Sequence, residues 1–137
     1  MNDRKIALLF TVGMILTGCT GMSSTVDGKT FIFSQYQQCP TLLEMDVDQT
    51  LELTLNENPS TGFGWSLEKP LKLFTSEETY VTDQDASSEP TRVGAGGHKI
   101  FKFKAIQPGE ELIQVKHARA WENNAPIDEW KCRVRIS

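Results

Sequence analysis

Nucleophilic catalysis or a zinc site in this sequence would have to use a small set of cysteines and histidines. Apart from Cys19 near the N-terminus, the set is Cys39, Cys132, His98 and His117. An enzyme would need one of these thiols beside one of these imidazoles, but Cys132 falls on the apolar face of a predicted strand, where a thiol is normally inert or bridged. The four residues also lack the paired spacing of a zinc site. We therefore expect no catalytic residue, no metal site and no cofactor.

The composition narrows the class of protein further. A chain of 137 residues fits one domain, and its content of apolar and charged residues is that of a globular protein. The net charge of -4 gives no basic surface of the kind that nucleic acid requires. We expect no nucleic-acid partner.

The N-terminal segment has the features of a secretory signal. Basic residues precede an apolar run from Ile6 to Leu16, and small residues follow it. This run of 11 residues is too short to cross a membrane, since a span takes about 20 apolar residues. Its end, Leu16-Thr17-Gly18-Cys19, resembles the bacterial lipobox, in which the cysteine is acylated and becomes the first mature residue.

The lipobox resemblance divides the chain into a signal peptide (1–18), a lipidated tether (19–29) and a folded domain (30–137). It implies a lipid anchor on Cys19 in the bacterial cell envelope. Thr20 after the cysteine favours the outer membrane, with the domain facing the periplasm or the exterior. The alternative is an ordinary signal peptide with an incidental cysteine.

Two cysteines remain in the mature chain, Cys39 and Cys132. In an oxidising compartment an even remainder indicates a disulfide. The bond would close a loop of about 90 residues and contribute ~4 kcal/mol in the chain-entropy model. Whether the two backbones approach closely enough is a question that the sequence leaves open.

Alternation of apolar and polar residues recurs along the mature chain and predicts short strands. Thr50–Leu55, for example, places three leucines on one face and polar residues on the other. No stretch has a sustained helical period. The fold class is therefore all-β, an antiparallel sandwich or barrel. The predicted strands are Thr30–Phe33, Leu42–Met45, Thr50–Leu55, Trp65–Glu68, Leu71–Val81, Lys99–Ala105, Glu111–Ala118 and Trp130–Ile136.

The connections between these strands are of two kinds. Lys69-Pro70 and Gln107–Glu110 are tight turns, whereas three segments are longer: the first loop (Glu57–Gly64), the second loop (Thr82–Gly97) and the third loop (Arg119–Asp128). If each strand reverses direction, the long and the tight connections alternate, so the three loops lie at one end of the sandwich. Loops that a rigid sandwich presents are common binding sites.

The first loop contains Asn58-Pro59-Ser60-Thr61-Gly62-Phe63. Pro59 restricts one φ angle, and Gly62 permits backbone conformations closed to other residues, which favours a preformed projection. The alternative is an ordinary turn in which Phe63 and Trp65 pack back on the core.

The other two loops carry different chemistry. Gly94-Ala95-Gly96-Gly97 closes the second loop and permits a close backbone approach, but it leads into a strand and has no following Lys-Ser/Thr, so it is not a phosphate-binding loop. Arg119-Ala120-Trp121 opens the third loop with two residue types that are enriched in interface hot spots. The alternative is that Trp121 caps the core edge while Arg119 pairs with Glu122.

In this order, the three motifs resemble those of the chagasin family, protein inhibitors of papain-like cysteine proteases. The family pattern is Asn-Pro-Thr/Ser-Thr-Gly-Tyr/Phe, then Gly-x-Gly-Gly, then Arg-Pro-Trp/Phe. Residues 58–63 match the first motif, residues 94–97 the second, and Arg119 with Trp121 the third, although Ala120 stands where the family usually has proline. The resemblance spans about Phe31 to Ile136.

The resemblance implies an immunoglobulin-like β-sandwich that inhibits reversibly by inserting three loops into the protease cleft. Thr61 would lie nearest the catalytic cysteine of the protease, and the other two loops would grip the walls of the cleft. We expect a monomer. A different partner for an envelope lipoprotein of the same fold is the alternative. The implied protease-binding residues are Asn58, Pro59, Ser60, Thr61, Gly62, Phe63, Gly94, Gly96, Gly97, Arg119 and Trp121.

Overall fold

The computed structural model describes residues 25–26, 29–83 and 96–137. The predicted signal peptide, Cys19 and residues 84–95 of the second loop, which include Gly94, therefore lie outside the described residues. In the part of the chain that the structure describes, no helix is long and apolar enough to cross a membrane.

Two β-sheets face each other and form a sandwich, as predicted. In spatial order, the first sheet contains β1 (Thr25–Val26), β2 (Thr30–Ser34), β4 (Thr50–Glu57), β7 (Gly97–Ala105) and β6 (Phe74–Thr82). The second contains β3 (Leu43–Met45), β9 (Asp128–Ile136), β8 (Gly109–Arg119) and β5 (Phe63–Leu67). Most neighbouring strands are antiparallel, but β2 pairs with β4 and β3 with β9 in parallel.

The predicted alternation builds the core. Leu51 and Leu53 of β4 pair with Phe103 and Phe101 of β7, and all four side chains are fully buried. The inward positions of β8 and β9 supply the facing layer, with Ile113, Val115, Trp130, Val134 and Ile136 all buried. Each such side chain contributes about 1.5–3 kcal/mol when it leaves water, so this face-to-face packing stabilises the sandwich.

Two strands begin at residues other than the predicted ones: β8 begins earlier, and β6 begins later. Strand β8 pairs with β9 from Gly109 onward, so it begins before Glu111. Strand β6 begins at Phe74 rather than at Leu71. The preceding backbone amides of Lys72 and Leu73 instead donate to the Glu111 carboxylate, at 2.7 and 2.8 Å. A side chain from the other sheet thus takes the place of a strand partner.

The predicted disulfide between Cys39 and Cys132 is confirmed. The two Cα atoms lie 5.3 Å apart, and the residues are 93 positions apart in the chain. Cys132 is buried in β9. The bond therefore attaches the segment that follows β2, in the first sheet, to a central strand of the second sheet.

The strand directions confirm that the three loops share one end of the sandwich. Strands β4, β6 and β8 run toward this end, which we call the tip, and β5, β7 and β9 leave it. Because β2 is parallel to β4, the chain that follows β2 also turns at the tip. Residues 35–37, which we call the tip turn, form a fourth connection there that the sequence interpretation did not find.

Candidate functional site

The first loop is a single 3-10 turn, Pro59–Thr61, whose polar groups are satisfied locally. Asn58 caps it: its side-chain oxygen accepts hydrogen bonds from the Ser60 amide at 3.1 Å and the Ser60 hydroxyl at 2.6 Å. The Thr61 amide and hydroxyl both donate to the Asn58 carbonyl, at 3.1 and 2.8 Å. Pro59 occupies the first turn, where a missing N–H costs nothing. The loop is therefore preformed before any partner binds.

Gly62 ends this turn in a conformation that other residues rarely adopt. Its φ is +80°, in the left-handed region, and its amide donates to the Pro59 carbonyl at 3.0 Å. A Cβ atom at this position would collide with the indole of Trp121, whose Cζ2 would lie 2.9 Å away. Gly62 is thus required both by the backbone angle and by the third loop that packs on it.

Arg119 attaches the third loop to the first. Its Nε donates to the Thr61 carbonyl at 3.0 Å, and its guanidinium carbon lies 4.2 Å from the centroid of the Phe63 ring. A second guanidinium nitrogen lies 3.0 Å from the Glu122 carboxylate, so the ion pair that the alternative interpretation predicted is also present. Trp121, in contrast, does not cap the core, because 70% of its surface is exposed.

Beneath the first loop, an aromatic stack supports Phe63. The imidazole of His117 lies parallel to the buried indole of Trp65, with centroids 4.7 Å apart, and meets the Phe63 ring edge-on at 5.8 Å. Trp65 therefore packs in the core, as the alternative reading had it, while Phe63 is only half-buried. Burial lowers the pKa of His117, although the Glu57 and Asp128 carboxylates oppose the shift. His117 thus packs between Trp65 and Phe63 and links the core to the first loop.

Glu57 is the buried charged residue at the base of the first loop. One carboxylate oxygen accepts a hydrogen bond from the Trp65 amide at 2.7 Å, and the other lies 3.9 Å from the Lys99 ammonium. Glu57 belongs to β4 and Trp65 to β5, so this carboxylate joins the two sheets below the loop. The sequence interpretation missed it. The signal was available: Glu57 continues the inward positions that Leu51, Leu53 and Leu55 occupy.

The described part of the second loop packs closely on its own hairpin. Gly97 is buried, and a Cβ atom there would collide with the Val81 carbonyl and the Tyr80 ring. Gly96 is half-buried, and its carbonyl accepts a hydrogen bond from the Asp83 amide at 3.1 Å. Gly97 thus permits strand β6 to approach β7 closely. Of these two glycines, only Gly96 reaches the surface.

The candidates for enzyme chemistry are engaged elsewhere. Cys39 and Cys132 are joined to each other. The Nδ1 atom of His98 lies 3.1 Å from the Asp83 carboxylate, and the His117 ring packs against Trp65 and Phe63. Among the described residues, no cluster of three His, Cys, Asp or Glu side chains has a metal-binding arrangement.

Comparison with known proteins identifies this set of loops. Residues 44–136 match the family model of the chagasin family peptidase inhibitors, I42. The chain belongs to this family. It is 33% identical to amoebiasin-1 of Entamoeba histolytica over 85 residues, which cover 62% of this chain and 79% of that protein. It is 26% identical to chagasin of Trypanosoma cruzi over 80 residues, which cover 58% of this chain and 73% of chagasin.

Solved structures of family members have the same fold. A cysteine protease inhibitor from Entamoeba histolytica superposes with a TM-score of 0.63 at 20% identity, covering 79% of this chain and 95% of that one. The inhibitor ICP of Leishmania mexicana superposes with a TM-score of 0.56 at 18% identity, covering 86% of this chain and 99% of that one. The immunoglobulin-like sandwich is therefore confirmed. Membership of the chagasin family makes this chain a protease inhibitor and not an enzyme.

Proposed function

We propose that this chain is a reversible, tight-binding inhibitor of papain-like cysteine proteases that blocks the active-site cleft with its three loops. Family membership supports inhibition of a cysteine protease. The observation that carries the proposed mode of binding is the preformed first loop. Its turn is satisfied internally and held from outside by Arg119, so it projects at the tip as a rigid wedge.

Rigidity favours affinity because little conformational entropy is lost when a preformed loop docks. Trp121 adds an exposed aromatic side chain beside the wedge, and tryptophan is among the residues most often found as hot spots. The proposed contact comprises the first loop, residues 94–97 of the second loop, and Arg119 with Trp121. Since this contact includes no inhibitor thiol that could react and no peptide bond presented for cleavage, the protease does not consume the inhibitor.

We also propose that the inhibitor is a lipoprotein of the bacterial cell envelope, anchored through Cys19. The lipobox-like end of the N-terminal segment supports this proposal. The disulfide is consistent with it, since such bonds persist in oxidising compartments. Residues 20–29 would then serve as a tether between the lipid and the sandwich.

Steady-state inhibition of papain by a soluble chain that begins at Thr20, without the lipid-bearing Cys19, tests the function. We expect tight, reversible inhibition that Thr61→Arg abolishes, because Thr61 is exposed at the end of the 3-10 turn and a long charged side chain there would block insertion. Thr75→Arg is the matched control, since Thr75 is also exposed but lies near the other end of the sandwich. It should inhibit like wild type.

The second candidate function is an envelope binding protein with a partner that is not a protease. The absence of inhibition of papain and its relatives at micromolar concentration would favour that candidate. Equal inhibition by wild type and Thr61→Arg would show instead that another surface carries the activity.

A further inference from the structure

A recess of about 570 Å³ opens at the tip between the first loop and the tip turn. Residues of the first two motifs line one part of it, whereas Tyr36 and Ile127 belong to none of the three motifs. Its rim and floor include Tyr36, Asn58, Thr61, Phe63, His98 and Ile127. Asn58 and Thr61 thus belong both to the recess and to the proposed wedge.

Two exposed apolar side chains form the walls of this recess. Tyr36 is 78% exposed and Ile127 is 60% exposed. Tyr36 comes from the tip turn and Ile127 from the end of the third loop, so elements far apart in the chain bring them to one opening. Exposed apolar side chains grouped around a recess, unlike single ones, are typical of interaction sites.

The backbone around both walls is held in place. The Asn56 side chain donates to the Tyr36 hydroxyl at 3.0 Å, and the Asn56 amide donates to the Gln35 side chain at 2.6 Å. The indole N–H of Trp130 donates to the Gln37 carbonyl at 2.9 Å. The Ile127 amide donates to the His117 carbonyl, also at 2.9 Å. Binding at this recess would therefore order little additional backbone.

Most of the polar groups that line the recess are engaged within the inhibitor; the Nε2 atom of His117 has no hydrogen-bond partner among the described residues, but it is closed to solvent and does not face an entering group. His98 pairs with Asp83, and the Thr61 hydroxyl donates to the Asn58 carbonyl. The Glu57 carboxylate on the floor is bound by the Trp65 amide. An entering charged group would have to lose its water, and it would meet no charged side chain that is still unpaired among Glu57, Asp83 and His98, whereas an apolar group would bury surface against Tyr36 and Ile127.

We infer that Tyr36 and Ile127 form a fourth contact of the inhibitory tip, and that the recess between them receives an apolar side chain from the rim of the bound protease's cleft. This inference rests on the proposed function. The continuity of the surface carries it: a protease that covers Thr61 at the end of the wedge also covers the mouth of the recess that Thr61 lines.

Tyr36→Ala and Ile127→Ala, each in the soluble chain that begins at Thr20, test the inference through the inhibition constant for papain and two related proteases. We expect each variant to raise the constant about 10-fold, mainly through faster dissociation. Tyr36→Phe keeps the ring and should stay within about 3-fold of wild type. Ile106→Ala is the control, because Ile106 is also exposed, at 42%, but lies at the end opposite the tip.

The outcomes separate this inference from the function on which it rests. If Thr61→Arg abolishes inhibition while Tyr36→Ala and Ile127→Ala inhibit like wild type, the fourth contact is wrong and the inhibitor stands. If wild type inhibits no papain-like protease, both fail. Thermal unfolding checks that each variant is folded. Ile127→Ala decides the matter independently of Tyr36, because the main chain of Ile127, and not its side chain, bonds to His117.

Discussion

The two ends of the sandwich are built from the same strands but present different chemistry. At the tip, loop polar groups bind one another, as Asn58 does with Ser60 and Thr61, and apolar side chains such as Trp121 point outward. At the opposite end the connections are short, and the exposed side chains include a group of paired charges. Glu110 there lies 3.3 Å from Arg133 and 3.6 Å from Arg135.

This difference indicates that binding is confined to the tip. A tip that satisfies its own hydrogen bonds leaves apolar surface free for a partner, and it loses little entropy on binding. Exposed ion pairs at the opposite end contribute little to stability, and covering them with an apolar partner would cost desolvation free energy. We therefore expect substitutions in the tip loops to change inhibition, and substitutions at the opposite end to leave it unchanged. The following variants test this contrast, from the largest expected effect to the smallest.

Removal of the disulfide, by Cys39→Ala together with Cys132→Ala, should have the largest effect on stability. The bond joins residues 93 positions apart and holds the chain that follows the tip turn to β9. We expect the free energy of unfolding to fall by roughly 4 kcal/mol, because the unfolded chain gains conformational entropy. Chemical denaturation measures this. A reducing agent should lower the stability of wild type but not that of the double variant. Equal stability of the two proteins without the reducing agent would contradict the prediction.

Gly62→Ala should weaken inhibition about 10- to 100-fold, because strain at a positive φ and the collision with Trp121 displace the wedge. Gly109→Ala is the matched variant at the opposite end. Gly109 also has a positive φ, +142°, and a Cβ atom there would meet only the flexible side chain of Leu73. It should lose about 1–2 kcal/mol of stability and keep the wild-type inhibition constant. The contrast fails if Gly109→Ala weakens inhibition as much as Gly62→Ala does.

Ala120→Pro should strengthen inhibition several-fold. Ala120 is the second residue of a turn in which the Glu122 amide donates to the Arg119 carbonyl at 3.2 Å, a position that favours proline. A more rigid free loop saves on the order of 1 kcal/mol on binding. Inhibition kinetics on papain measure the effect, and an unchanged or weaker inhibitor would show that rigidity of the third loop does not limit affinity.

A modest loss of stability is expected as the pH falls from about 7 to 5. Burial lowers the pKa of His117 in the folded state, so below the usual histidine pKa of about 6.5 the unfolded chain binds the proton more readily. Stability is lost as the pH falls through this value toward the lowered pKa. His117→Phe keeps an aromatic ring on Trp65 and should remove this part of the pH dependence. Chemical denaturation at several pH values measures this, and an identical pH dependence of the unfolding free energy in both proteins would refute the role of His117.

Glu110→Gln should have the smallest effect. It removes the carboxylate that faces Arg133 and Arg135, all of them at least 40% exposed. Exposed pairs of this kind contribute less than about 1 kcal/mol. Neither the melting temperature nor the inhibition constant should change appreciably. A marked loss of inhibition would mean that the opposite end also takes part in binding.

Most of the fold could be predicted because its signals are local. Alternation of apolar residues, as in Leu51, Leu53 and Leu55, fixes which face of a strand is buried. Turn residues such as Pro70 mark where strands end. The bounds of β8 and β6 could not be predicted, since main-chain pairing and the Glu111 carboxylate determine them. Both depend on contacts between distant parts of the chain.

The candidate site divides in the same way. The first loop is recognisable because Asn58, Pro59 and Gly62 act within a few residues of one another. Tyr36 carries no local signal, since it reaches the tip only through the parallel pairing of β2 with β4. Glu57 has a signal in its inward position, but its role depends on the Trp65 amide of the other sheet.

By itself the sequence determined the all-β class, the restricted backbone of the first loop and the placement of three loops at one end. These properties follow from side-chain alternation, backbone restrictions and the parity of strand reversals, all of which act over short stretches. Only the tertiary structure decided that Arg119 and Trp121 hold the first loop and that Tyr36 and Ile127 flank a recess. Those contacts join residues distant in the chain, because two sheets must pack before their ends can meet.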